Sequence, residues 1–545
     1  MQDLATLRAG GCRGAGLTKL KLTEPLDEFP SEMFDAGIAN TLEILDLSGT
    51  GLSALPADLG TRLPRLRIAF FSSCKFVTFP SVALAGCPLL EMVAFRKNGM
   101  QGFEGPSADE VAFPPRLRWL ILTDNCLAHI PASISRCHRL EKCMLAGNQL
   151  TGLPDAMVNC QNLTLLRLAA NKLETLPSWL LTMPKLAFLS FAGNPCSSAA
   201  TSDKTASSIS RPTLSNSSNP QSALPHVDWN EIEIHHVLGE GASGIISKGT
   251  IRSGNTSASA SRGPSGTATP ALSGSDASVF STGASTVATS TLNSPLSSSL
   301  ELSVPTPVAV KIFRGALTSD GTPYDEMAAC LAAGQHVNLV QVHGQIRWGE
   351  DEDAEEDAKE AFPPAFRGGL IMELIPPQYR VLGQPPSFDS CTRDCFDTSS
   401  GDDRLPVPAA LSILSGVASA AAHLHERGIA HGDLYAHNIL VAHSVAGNSS
   451  TNDVDNNEDA THAILSDFGA ATLYGPNSSS NDLNNLEKLE VLAFAHLIED
   501  VLGLMAEEPS VRQQLEALHT MCSVPNVAER PDFSTLVNEL ASLKF

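Results

Sequence analysis

Residues 430–441 read AHGDLYAHNILV. An acid, Asp433, is followed five residues later by an amide, Asn438, and then by an apolar run suited to a short buried strand. Directly upstream, PAALSILSGVASAAAHLHERG (408–428) places apolar residues at spacings of three and four and ends on Gly428. This is the pattern of a buried helix with a C-terminal glycine cap. Downstream, LSDFGAA (465–471) sets a second acid, Asp467, after the strand-like AIL. An Asp-Phe-Gly tripeptide alone also reads as a turn, so its meaning rests on what precedes it in order.

Three further stretches supply that order. VLGEGASGII (237–246) carries Gly239, Gly241 and Gly244 in GxGxxG spacing, with Ile246 after them. Glycines let a hairpin backbone approach phosphates without a Cβ in the way, although they also mark ordinary turns. VAVKIF (308–313) is a β-branched run of a buried strand, and Lys311 inside it demands an anionic partner. Glu326, in YDEMAACLAAGQHVNLVQVHG (324–344), is the candidate counter-ion on the helix that follows. GLIMELIPP (369–377) is an apolar strand whose value lies in its place in the series.

Taken together, residues 228–545 resemble the protein kinase superfamily, and the whole chain resembles cytosolic leucine-rich-repeat protein kinases. The resemblance implies a two-lobed α+β kinase domain that uses ATP and Mg2+. It casts Gly239, Gly241, Gly244 and Ile246 as the turn over the phosphates, and Lys311, paired to Glu326, as the phosphate-binding lysine. Met372 would guard the adenine pocket, while backbone groups of Glu373 to Ile375 would bond the adenine edge. Asp433 would orient the acceptor hydroxyl and take its proton, with Asn438 and Asp467 as magnesium ligands. Glu490, in LEVLAFAHLIEDVLG (489–503), and Arg530, in AERPDFSTLVNEL (528–540), match structural positions of the lower lobe.

The chain departs from the family at three places. Gly432 stands where an arginine normally reads a phosphate on the activation loop, which removes the reason for such a switch. Tyr435 stands where Ser/Thr kinases carry a lysine that steadies the γ-phosphate, and a phenol brings one hydrogen bond but no charge. The segment from Asp467 to Glu490 is short and contains no Ala-Pro-Glu, and Glu487 is the nearest candidate partner for Arg530. Two readings follow. One is a Ser/Thr protein kinase freed from loop phosphorylation; the other is a nucleotide-binding pseudokinase scaffold. Retention of Lys311, Glu326, Asp433, Asn438, Gly241 and Asp467 favours the enzyme.

The first third repeats itself. TLEILDLSGTGLSALP (41–56), RLRWLILTDNCLAHIP (116–131), RLEKCMLAGNQLTGLP (139–154) and NLTLLRLAANKLETLP (162–177) share LxxLxLxxNxLxxLP, and the last three begin 23 residues apart. This is a leucine-rich repeat, predicting an α/β solenoid over residues 1–196 whose stacked strands turn leucines inward. Residues 65–80 and 89–103 are less regular copies, and Cys74 replaces the usual Asn in the first of them. The strand positions facing away from the leucines form a column of Ile44, Ile68, Met92, Trp119, Lys142, Leu165 and Phe188. Six of these seven are apolar, which points to a protein partner or substrate on the concave face, or to coverage by the C-terminal domain itself. The neighbouring column, Asp46, Phe70, Ala94, Ile121, Met144, Arg167 and Ser190, is mixed.

The expected organisation is therefore multidomain: repeats over 1–196, a Ser/Thr/Asn/Pro linker at 197–227, and a kinase domain at 228–545. That domain carries low-complexity insertions at about 252–303, 350–360 and 445–461. Across 545 residues, 59 acids face 36 Lys and Arg for a net charge of -23, which disfavours nucleic acid and anionic membranes as partners. No signal peptide or continuous run of about 18 apolar residues is evident, so a cytoplasmic location is expected. The twelve cysteines contain no CxxC pair and read as free thiols.

Overall fold

The computed structural model describes residues 4–8, 16–105, 110–197, 224–241, 243–252, 306–314, 317–318, 320–348, 368–396, 404–442, 461–474 and 480–543. Apart from their outermost residues, the expected linker and insertions lie outside the described residues.

Within the repeats, each LxxLxL segment forms a three-residue strand. Eight of these, from Lys19–Lys21 to Phe188–Ser190, lie side by side in one sheet in chain order. Adjacent strands are parallel and unslipped, so Ile44 pairs with Ile68, Met92 with Trp119, and Leu165 with Phe188. The central residue of each strand turns into the core: Leu20, Leu45, Ala69, Val93, Leu120, Cys143, Leu166 and Leu189 are all buried. The recurrent Asn closes each bend. Asn171, for example, donates to the carbonyls of Leu145 and Leu168 and accepts from the amide of Leu150 at 3.0 Å. A buried amide engaged on both its donor and acceptor sides fixes the turn and ties neighbouring copies together. Cys74 substitutes with a thiol that donates to the carbonyl of Leu47 at 3.2 Å and meets the Thr50 hydroxyl at 3.7 Å.

The C-terminal region has two layers. The first is a six-stranded sheet whose spatial order is His226–Asp228, Val342–Arg347, Gly369–Glu373, Thr306–Phe313, Gly244–Ile251 and Ile232–Glu240. The Pro323–Ala333 helix packs on it. Thr322 caps this helix by accepting from the amide of Asp325 at 3.2 Å, Pro323 occupies its first turn, and Gly334 ends it at φ +67°. The second layer is helical, built from Val407–Glu426, Ser480–Leu504, Pro509–Cys522 and Phe533–Ser542.

Among the described residues, Val407–Glu426 is long and apolar enough to cross a membrane, with a mean hydropathy of 1.5. In the sequence this helix is not a continuous apolar run, because Ser and Gly are interspersed in it. Its apolar side is spent inside the fold, where Ile413, Leu414, Val417, Ala421 and Leu424 are fully buried.

The two regions share their cores. Leu165, Ala187 and Phe188 of the repeats sit in the C-terminal hydrophobic cluster, while Tyr474, Leu486, Leu489 and Val527 sit in the cluster of the repeats. Burial of this kind couples the folding of both parts.

Candidate functional site

Lys311 comes from the middle of the Thr306–Phe313 strand, where it is held nearly buried, and its ammonium bonds the carboxylate of Glu326 from the first turn of the Pro323–Ala333 helix. Burial works against the charge on Lys311, but Glu326 and Asp467 outweigh it and push its pKa upward. The glycine turn spans the hairpin between Ile232–Glu240 and Gly244–Ile251, closed by Gly241 N–H donating to the carbonyl of Gly244 at 2.9 Å. A Cβ would meet nothing at Gly239 or Gly241, yet at Gly244 it would lie 2.2 Å from the carbonyl oxygen of Ile312. Packing thus demands only Gly244, and the space at the other two is open for a ligand. Ile246 pairs with Lys311 across the strands. Met372 is buried at the end of Gly369–Glu373, Glu373 N–H is already taken by the carbonyl of Gln341 at 2.9 Å, and Ile375 is partly exposed just beyond.

The stretch 430–441 forms a loop ending in the strand Ile439–Ala442. Asn438 Nδ2 donates to the Asp433 carbonyl at 2.9 Å and to Asp433 Oδ2 at 3.2 Å. Ser466 Oγ donates to the carbonyl of Asn438 at 2.8 Å, which brings the Asp467 segment alongside. Asp467 adopts φ +59° and is exposed, its Oδ1 accepting from the amide of Gly469 at 3.0 Å. From below, the Glu490 carboxylate accepts from Gly432 N–H at 2.6 Å and from His431 N–H at 3.2 Å, and it meets His425 at 2.7 Å. Burial resists its ionisation, but the bond and charge of His425, aided by the Gly432 amide, hold the Glu490 pKa below its usual value.

One residue of the repeats completes the loop. Arg167, fully buried, donates through Nε to Asp320 at 2.8 Å, through Nη1 to the carbonyl of Gly432 at 2.8 Å, and through Nη2 to Asp433 Oδ1 at 2.6 Å. Burial opposes its charge, and Asp433 and Asp320 together outweigh that and raise its pKa. For Asp433, burial is the main influence and pushes its pKa up; Asp320 and Asp467 add to this while Arg167 opposes it.

Two expectations need correction. Tyr435 does not offer its phenol to the site: its ring stacks on Phe188 with centroids 3.9 Å apart, and its buried hydroxyl has no partner among the described residues. Arg530 does not pair with Glu487, because its three donors go to the carbonyls of Val524, Lys488 and Pro184. Burial lowers the Arg530 pKa to about 10, and Glu487 instead accepts from the amide of Phe533. On the outer column of the repeats, Leu165 and Phe188 are covered by the chain's own C-terminal region, and Lys142 lies 4.3 Å over the Trp119 ring. Ile68 and Met92 are buried as well, and Ile44 is partly exposed.

Of the residues put forward from the sequence, the structure joins Lys311 to Glu326 and Asp433 to Asn438, with the Asp467 segment alongside through Ser466. Arg167, which bonds Asp320 and the Asp433 loop, was not among them, and neither was Asp320. The available signal was Arg167 as the single cation in its outward-facing column, set against a loop that had lost one at Gly432.

Residues 397–520 match the lipopolysaccharide kinase (Kdo/WaaP) family. A search of curated proteins returns no match. The matched span holds the loop at 430–441 and the Asp467 segment, while Lys311, Glu326 and the glycine turn precede it. The C-terminal region is therefore kinase-like and of phosphotransferase type.

Proposed function

We propose that this chain transfers the γ-phosphoryl group of ATP to a protein Ser or Thr hydroxyl. The observation that carries this reading is the grouping of the Lys311–Glu326 pair with Asp433, Asn438 and Asp467 where the sheet meets the helical layer. Lys311 would bind the α- and β-phosphate oxygens, and the open space at Gly239 and Gly241 allows their backbone to close over the triphosphate. Asp433 would hold the acceptor hydroxyl and receive its proton as the new O–P bond forms and the bond to the ADP oxygen breaks.

Among the described residues no group of three or more His, Cys, Asp or Glu side chains could hold a metal alone. Mg2+ fits this, because it is commonly held by one or two protein oxygens together with phosphates and water. Asp467 and Asn438 would be its protein ligands, and the ion would neutralise charge on the transferring phosphoryl group.

A second acceptor class, a saccharide hydroxyl, is favoured by one observation. The repeats lie directly on the loop and the segment after Asp467: the carbonyl of Leu189 stands 3.0 Å from where a Cβ at Gly432 would be, and Phe191 N–H donates to Thr472 Oγ1 at 3.1 Å. Contacts of the repeats on this side of the loop favour a compact acceptor, and a sugar hydroxyl is one. The name of the matched family, a lipopolysaccharide kinase, agrees with that reading.

Labelled ATP offered with a generic basic protein, and separately with a lipopolysaccharide preparation, separates the two. Label on protein supports the first reading and label on saccharide the second. A wild type that binds Mg·ATP but labels neither acceptor nor itself supports the scaffold alternative.

A further inference from the structure

We propose that Arg167 is a positioning residue: the repeat region uses it to clamp the loop ahead of the Pro323–Ala333 helix onto the Asp433 loop, holding the phosphotransfer site assembled. The proposal rests on the reading of that site given above.

The clamp joins elements far apart in sequence. One guanidinium spans the Asp320 carboxylate, the Gly432 carbonyl and Asp433 Oδ1, all within 2.8 Å. Three acceptors on two different segments match the fixed planar fork of arginine, whose donors are spread across a guanidinium where those of a lysine ammonium radiate from one compact point. The Asp320 end is held firmly. The Thr318 hydroxyl accepts from the amides of Asp320 and Gly321, each at 3.1 Å, and donates to the Gly321 carbonyl, while Ser190 Oγ donates to the carbonyl of Asp320 at 3.2 Å. Further along, Arg96 reaches the carbonyl of Leu317, and Asp325 lies against Gly193. Residues 317–318 and 320–325 are thus laid against the repeats. Thr322 caps the helix at their end, and Glu326, one position past Asp325, carries the bond to Lys311.

The loop end is shaped to receive the clamp. Gly432 sits at φ +74°, and a Cβ there would lie 2.6 Å from the carbonyl of Ala470 and 3.0 Å from that of Leu189. The arginine expected at this position could not be accommodated against the repeats. In its place, the cation arrives from a strand of the repeat sheet. The polar contacts of Arg167 fall on Asp320 and residues 432–433, while Lys311 is engaged by Glu326 and Asp467 Oδ1 by Gly469. That distribution suits a brace rather than a plug over the phosphate-binding groups.

The test compares full-length wild type with Arg167→Met, Asp320→Asn and the double variant. Hydrogen exchange of the Pro323–Ala333 helix and of residues 432–438 is read without substrate. Transfer of labelled phosphate and Mg·ATP affinity are read alongside. The clamp predicts exchange in that helix at least tenfold faster in Arg167→Met, with the helices distant from the interface unchanged. It also predicts transfer reduced at least tenfold, and a double variant little worse than Arg167→Met alone. Arg167→Lys, which keeps the charge but loses the fork, should recover only part of the transfer. Unchanged helix exchange, or transfer that rises when Arg167 is removed, overturns the proposal. A wild type that binds no Mg·ATP overturns the functional reading instead, and the exchange measurement still decides the clamp.

Discussion

Asp433 and Gly432 are neighbours whose roles diverge. The Asp433 carboxylate is pinned on both oxygens, by Arg167 and by Asn438, and this fixes its plane; in the proposed function that plane would meet the acceptor hydroxyl. Asp433→Asn should leave Mg·ATP affinity close to wild type while slowing transfer by about 10²–10⁴-fold, the usual contribution of a positioned base; titration calorimetry and single-turnover labelling check the two parts. Gly432 has a purely steric reason to be glycine, given its positive φ and the two carbonyls crowding its missing Cβ. Gly432→Ala should therefore lower stability by about 1–3 kcal/mol, read as an earlier urea midpoint. The polar residues around Lys311 were legible because a lysine inside a β-branched run and an acid early in the next helix leave little choice of partner. Arg167 was not legible in that way. Its partners are 153 and 266 positions away, and nothing local in LLRLAA signals that its guanidinium leaves the solvent.

At the scale of elements, the Ser480–Leu504 helix supports the loop through Glu490, whose carboxylate takes the amides of His431 and Gly432. Its folded pKa lies below the ordinary value of 4.5. The stabilisation it supplies is thus complete above about pH 4.5 and drains away as pH falls through the lowered folded value. Glu490→Gln should flatten the acid limb of the stability curve below pH 4.5, measured by urea melts between pH 3 and 6. The helix itself could be read from apolar spacing, and so could Val407–Glu426. The pairing of Arg530 could not, since an arginine satisfied by three carbonyls leaves no complementary charge in the sequence to find. Tyr435 misled for a similar reason: a phenol next to an acid looks polar, whereas here its ring is packed under Phe188 and its hydroxyl is buried.

For the whole molecule, the period of the repeats and the order of the later motifs were visible in the chain, because side-chain spacing reports directly on strands and turns. The way the two regions meet was not. An apolar column on a sheet records that something covers it, without recording what, and here Leu165 and Phe188 are covered from within the chain. Because each region contributes residues to the other's core, unfolding should be a single transition. Phe188→Ala should cost about 3–5 kcal/mol and lower the melting of both regions together, as followed by calorimetry. The most direct measurement of the central claim is transfer of the labelled γ-phosphate of ATP by the full-length chain in Mg2+, beside Asp433→Asn and Lys311→Met. Wild type should transfer label, Asp433→Asn should bind nucleotide without transfer, and Lys311→Met should bind nucleotide more weakly. Equal transfer by wild type and Asp433→Asn, or equal nucleotide affinity in Lys311→Met, would contradict that claim.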